Sequence, residues 1–231
     1  MPSYKLREWV QKDRLGAVSL SVNPKAVDFL KANPDMIQWD SLSMNPAAID
    51  LLEANPHKIQ WWRLSRNPAA MRLLEANPDK IKWAELSRNP AAMRLLEANQ
   101  DKIDGKGLSL NTSPKAIELL EVSQDKIDWV MLSYNTSAVR LLEQNPDKVD
   151  WRNLSQNPSA IHLIEKNPEK IVWELMSANP AAIHLLEQNP DKIAWDALSM
   201  NPNAMHLLEA NTDKVHWWAH LSGNPEIFVL E

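Results

Sequence analysis

The chain has 231 residues with 25 basic and 30 acidic side chains, a formal net charge of −5, 44% apolar residues, four glycines and no cysteine. That composition excludes disulfides, thiolate metal sites and thiol nucleophiles, and it gives no overall basic field for nucleic acid. No apolar run approaches the roughly 18 residues of a membrane span, and the first nine residues lack the apolar core of a secretory signal, so a soluble intracellular protein is expected.

In chain order, residues 1–22 place Leu6, Trp9 and Val10 at helical spacing but fit the later pattern poorly, and they read as an N-terminal cap with a degenerate first repeat. From Asn23 onward a period takes over, and such a period governs every later reading. Asn23, Asn45, Asn67, Asn89 and Asn111 mark a constant 22-residue period; Asn135 falls two positions late, Asn157, Asn179 and Asn201 resume the beat, and Asn224 falls one position late. Trp39, Trp61 and Trp83, then Trp129, Trp151, Trp173, Trp195 and Trp217, keep the same spacing.

A typical unit runs from Asn45-Pro46-Ala47-Ala48 to Ala54, then from Asn55-Pro56-His57-Lys58 to Arg66. Asparagine is a favoured N-cap, and proline suits the first helical position because its missing N–H would be unpaired there anyway. The spacing therefore predicts a first helix from about Pro46 to Ala54, with Ala48, Ile49 and Leu52 inward. It predicts a second from about Pro56 to Ser65, with Ile59, Trp61 and Leu64 inward. Helices this short do not persist alone in water. The expected fold is all-α: an α-solenoid, a superhelical stack of about ten 22-residue helix pairs.

Alanine recurs at Ala26, Ala48, Ala70, Ala92, Ala116, Ala138, Ala160, Ala182 and Ala204, where a neighbouring backbone is expected to pass closely. Ile227 takes that place in the last copy and reads as covering an exposed end, so 224–231 is expected to cap the array of 23–223. At roughly 8–10 Å per packed layer the body should be elongated or gently superhelical. A leucine-rich repeat of similar length is disfavoured, because its next apolar position would fall on Arg66, Arg88 and Gln156.

The phrase Asn-Pro-x-Ala-Ile-x-Leu-Leu-Glu-x-Asn-Pro-Asp-Lys-Ile-x-Trp-x-x-Leu-Ser is similar to tandem repeats abundant in proteins of giant double-stranded DNA viruses. The closing Asn224-Pro225-Glu226-Ile227-Phe228 resembles their terminal motif. The likeness covers almost the full chain. It implies a viral protein made in an infected host, and brings neither catalytic residues nor a settled activity.

Candidate chemistry is sparse. His162, His184 and His206 recur once per unit, each three before a glutamate, and Arg72, Arg94 and Arg140 hold the same place in other units. Rungs spaced roughly 8–10 Å apart cannot converge on one metal ion. The histidines and arginines are therefore expected to pair with the glutamate at i+3 in their own helix. His216 and His220 offer half a metal site with no third ligand in view, and read as part of the end cap. The tryptophan ladder reads as core, with an aromatic platform for bases or sugars as the alternative. Trp62 and Trp218 stand off that ladder and are candidate contact residues.

Residues 57–107 hold ten Lys or Arg against six Asp or Glu, and there Arg66 stacks with Arg88 and Arg72 with Arg94 as ladders that could track phosphates. Gly105 replaces a ladder tryptophan, Gly107 follows, and Thr112-Ser113 are inserted, making Gly105 and Gly107 hinge candidates if the irregular repeat near 99–124 is more than neutral decay. No catalytic, cofactor-binding or metal-binding residues are assigned. The expected function is a non-enzymatic scaffold for protein–protein interaction. Its candidate contacts are Trp62, Arg63, Arg66, Arg88, Arg72, Arg94, Tyr134 and Trp218. Nucleic-acid binding through the arginine ladders is the alternative, homo-oligomerisation through the end units stays open, and no membrane role is expected.

Overall fold

The computed structural model describes residues 4–8, 10–217 and 220–230; Trp9 and Trp218 lie outside the described residues. The fold is an all-α stack of short helices in which each unit packs on the next. Among the described residues, no helix is long and apolar enough to cross a membrane.

The first asparagine of each unit behaves as expected. Asn45 lies in extended backbone at φ −77° and ψ 114°, and its side chain accepts a hydrogen bond from the Ala47 N–H at 3.0 Å. Pro46–Ala48 forms a single 3₁₀ turn that runs into the α-helix Ile49–Glu53. The second asparagine has the opposite task. Asn55 makes no N-cap bond; its Nδ2 donates back to the Leu51 carbonyl at 2.9 Å and closes the helix just ended. Asn33, Asn77, Asn145 and Asn189 repeat this bond.

The predicted second helix is also interrupted. Pro56–Lys58 makes one 3₁₀ turn, Ile59 and Gln60 turn extended (ψ 127° and 99°), and the helix resumes only at Trp61–Leu64. The reason is tertiary. Extended backbone drops Ile59 into the core at 7% exposure and presents the Gln60 N–H to Ser43 Oγ of the preceding unit at 3.0 Å. A continuous helix would forfeit both.

Two polar ladders then bind the stack. Asn67 Nδ2 donates to the Asn45 and Ser43 carbonyls of the unit before, each at 3.1 Å, and Asn89 does the same to Asn67 and Ser65. Ser65 Oγ donates to the Trp61 carbonyl at 2.8 Å and accepts the Lys82 N–H at 3.1 Å. These asparagines and serines are buried with every donor used, as buried polar groups require. The alanine ladder lies at 0–1% exposure, so the close backbone approach inferred from residue size is present.

The two expected caps meet each other. Strand β1 (Tyr4–Leu6) pairs antiparallel with strand β2 (Phe228–Leu230), Tyr4 opposite Leu230 and Leu6 opposite Phe228. The repeat's own bonds cross this junction: the Gly16 N–H donates to Ser222 Oγ at 2.9 Å, Asn23 Nδ2 to the Asn224 carbonyl at 3.3 Å, and Lys25 pairs with Glu226 at 3.0 Å. Gly16 stands one full period before Gln38, in phase with the array. The solenoid therefore closes into a ring, correcting the expectation of an elongated body with two separately capped ends. Ile227 covers no exposed end; it is fully buried, and its carbonyl accepts the Arg7 N–H at 2.9 Å. The ten copies complete one turn, about 36° per unit.

Candidate interaction surface on the inner face of the ring

The position after each ladder serine lies at or just past the end of a short helix of four to six residues and is partly or fully exposed. Leu110, Tyr134, Gln156, Ala178 and Met200 occupy it in five consecutive units, yet all line one cleft of about 350 Å³. Side chains from five successive units share a cleft only on a concave surface, so this is the inner face. A second cleft of about 510 Å³ continues it past Met200 to Leu175, Ala197, Asp196 and His220. Tyr134 and Met200 are 48% and 50% exposed, and Pro158 and Pro180 extend the apolar floor.

Further around the same face the character changes to charge. Arg63 lies over the Trp62 ring at 4.4 Å, pairs with Asp40 at 2.8 Å and donates to Met44 Sδ at 3.3 Å. The two predicted contact residues thus form one stacked, anchored pair, with Trp62 40% exposed. Arg66 and Arg88 approach the same oxygen, Glu85 Oε2, from two units at 3.6 and 3.7 Å. Burial first, and then the charge of Arg88, push the Arg66 guanidinium below its ordinary value while Glu85 pulls the other way. Glu85 is absent from the residues that sequence reasoning marks out. A signal for it exists, because Glu85 stands one full period after Arg63 and so brings an acid beside a base on adjacent rungs.

Arg72 and Arg94 do not join this group, and they do not pair within their own helices as expected. Arg72 pairs with Glu53, and Arg94 with Glu75 at 3.2 Å, each 19 residues earlier. His162, His184 and His206 likewise meet Glu143, Glu165 and Glu187 at 2.8, 2.9 and 3.0 Å. Side-by-side stacking brings the previous unit's glutamate closer than the residue's own i+3 partner. Arg72 and Arg94 are 81% and 89% exposed, where an ion pair contributes little.

The ladder tryptophans from Trp39 to Trp195 are half-buried against the core, Trp217 is buried within it, and a lysine of the next unit lies over most of them. Lys80 covers Trp61 at 4.8 Å, Lys102 covers Trp83 at 4.4 Å and Lys170 covers Trp151 at 4.3 Å. At these rings a lysine of the protein itself lies over the face that an aromatic platform would offer. Gly105 and Gly107 sit in a helix, Gly105–Ser109, with the Asp104 side chain accepting the Gly107 N–H at 2.6 Å. A Cβ at Gly105 would meet the Lys126 carbonyl oxygen at 2.5 Å, and one at Gly107 the Ala84 carbonyl oxygen at 2.6 Å. Close backbone approach accounts for both glycines, and no described glycine has positive φ. The His216 and His220 rings meet Nδ1 to Nδ1 at 2.9 Å, and no group of three metal-ligating side chains occurs among the described residues.

No protein-family model matches the chain, and no curated protein or solved structure is significantly similar to it.

Proposed function

We propose that the protein is a non-enzymatic ring scaffold that holds a segment of a protein partner against its inner face. The observation that supports this reading most is the apolar arc from Leu110 through Tyr134 and Ala178 to Met200, which collects the variable side chain of five successive units in one cleft. Constant positions build the stack, and the exposed ones differ from rung to rung. Exposed aromatic and methionine side chains are those enriched at binding hot spots. Resemblance to giant-virus tandem repeats makes a viral protein with a host or viral partner the accompanying proposal. Nucleic acid, the alternative, receives less support, since Arg72 and Arg94 already carry glutamate partners.

Affinity capture of the tagged protein from cell lysate, with and without nuclease, tests the reading. Partners should survive nuclease and be lost from Tyr134→Ala and Trp62→Ala variants that melt like the parent. Undiminished capture by both variants overturns the inner-face site; capture abolished by nuclease moves nucleic acid to the front.

A further inference from the structure

The arginines of the inner face are incompletely satisfied. Each guanidinium has five N–H donors, yet neither the Arg66 nor the Arg88 guanidinium has a hydrogen-bond partner among the described residues. Their approaches to Glu85 at 3.6 and 3.7 Å exceed hydrogen-bonding distance. Both side chains are about one-third exposed (31% and 32%), so solvent reaches them. Glu85 Oε2 is itself buried without a hydrogen-bond partner among the described residues. Asp40 is paired with Arg63, and Asp104 accepts the Gly107 N–H while keeping its own charge. Three cations, Arg66, Arg88 and Lys106, thus stand near two carboxylates, Glu85 and Asp104, and an open cleft of about 320 Å³ is lined by Glu85, Arg88, Asp104 and Lys106.

We propose that Arg66, Arg88 and Glu85 form a binding site for a protonated phosphate group, either free hydrogen phosphate or the monoanion of a phosphate monoester. The two guanidiniums supply donors for the ionised oxygens, in the geometry arginine favours for phosphate. The ionised Glu85 carboxylate has only acceptor capacity. It is matched by a P–OH, which donates a hydrogen bond to this carboxylate, whose side chain is 26% exposed beside the buried Oε2, and keeps a second negative charge away from it. Sulfate, a phosphodiester and a monoester dianion carry no such proton and would face Glu85 with charge against charge. The site therefore binds an anion and selects the protonated one. It is independent of the protein partner proposed above.

The test is isothermal titration of the whole protein in phosphate-free buffer near neutral pH, using inorganic phosphate, sulfate, methyl phosphate and dimethyl phosphate as probes. Inorganic phosphate should bind saturably at one site, with sulfate and dimethyl phosphate at least about tenfold weaker, the value of one charge-assisted hydrogen bond. Methyl phosphate that outcompetes inorganic phosphate makes the monoester the natural source; the reverse makes it free phosphate. Arg66→Gln and Arg88→Gln should each lose about tenfold or more. Glu85→Gln, whose amide can donate, should bring sulfate up to the affinity of phosphate. Thermal melts of all three variants should match the parent. Absence of saturable binding in the millimolar range, equal affinity for phosphate and sulfate in the parent, or unchanged selectivity in Glu85→Gln each overturns the proposal.

Discussion

A regular unit and the closing unit share the asparagine cap and the serine hydrogen bond but differ in backbone. In the regular unit Pro68–Ala70 leads into the helix Met71–Ala76. In the closing unit Pro225–Ile227 leads into strand β2, and β1, from the other end of the described chain, lies alongside. The cap is unchanged: Asn67 accepts the Ala69 N–H and Asn224 accepts the Glu226 N–H, both at 3.0 Å. The serine bond is unchanged too, with Gly16 taking the place of Lys82. Even the cation over the tryptophan persists, with Arg14 over Trp217 at 4.8 Å where Lys80 lies over Trp61. The stack thus depends on the turn at the asparagine and on the serine, and tolerates replacement of the helix that follows. Phe228 and Val229 favour a strand, and Phe228 fills its space by an edge-on contact with Phe29 at 6.2 Å between centroids.

The comparison can be broken at several points. Removal of residues 1–10 takes away β1 and the buried Val10 and uncovers Ile227 and Phe228. A loss on the order of 5 kcal/mol is expected from burial of those side chains, together with an opened ring. Urea unfolding reads the first, and small-angle scattering the second as a larger radius of gyration. An unchanged radius would mean that the asparagine and serine bonds alone hold the junction.

Asn67→Ala should cost about 2–4 kcal/mol, because it removes a cap, leaves the Ser43 carbonyl unpaired in the core and takes from the Asn45 carbonyl one of its two donors, the other being the Ala48 N–H. Asn23→Ala should cost less, since its one bond across the junction is longer, at 3.3 Å. Equal losses in chemical denaturation would show the junction to be as tight as the interior.

Gly105→Ala carries a contest of signs. Helix propensity alone gives a gain of about 1 kcal/mol, whereas the Lys126 carbonyl oxygen 2.5 Å from the new Cβ gives a loss of about 1–3 kcal/mol. A lower melting temperature is expected, and a higher one would show that the neighbouring unit yields easily. The smallest effect belongs to the exposed ladder. Arg94→Ala should change stability by less than about 0.5 kcal/mol, against about 0.5–1 kcal/mol for Lys80→Ala, which uncovers the Trp61 ring.

Much of the architecture was legible from residue spacing. The 22-residue period located the units, the first-asparagine caps, the buried Leu52 and Leu64, and the alanines that permit close stacking. It also marked Trp62, Arg63, Arg66, Arg88 and Tyr134 as lying off the constant pattern, and the inner face collects them. These features are local: a cap, a turn and an apolar stripe are set by residues within one helix turn of each other.

Other features arise only when units meet. Asn55 has the same proline after it as Asn45, yet it closes a helix instead of opening one. The difference lies in Ser43 of the preceding unit, which claims the Gln60 N–H and draws Ile59 extended. Arg94 pairs with Glu75 instead of Glu97 because the neighbouring rung is nearer than its own next turn. Ring closure is the furthest from local control. A rotation of about 36° at each interface leaves no mark on any one repeat, and only its sum over the ten units brings Tyr4–Leu6 beside Phe228–Leu230.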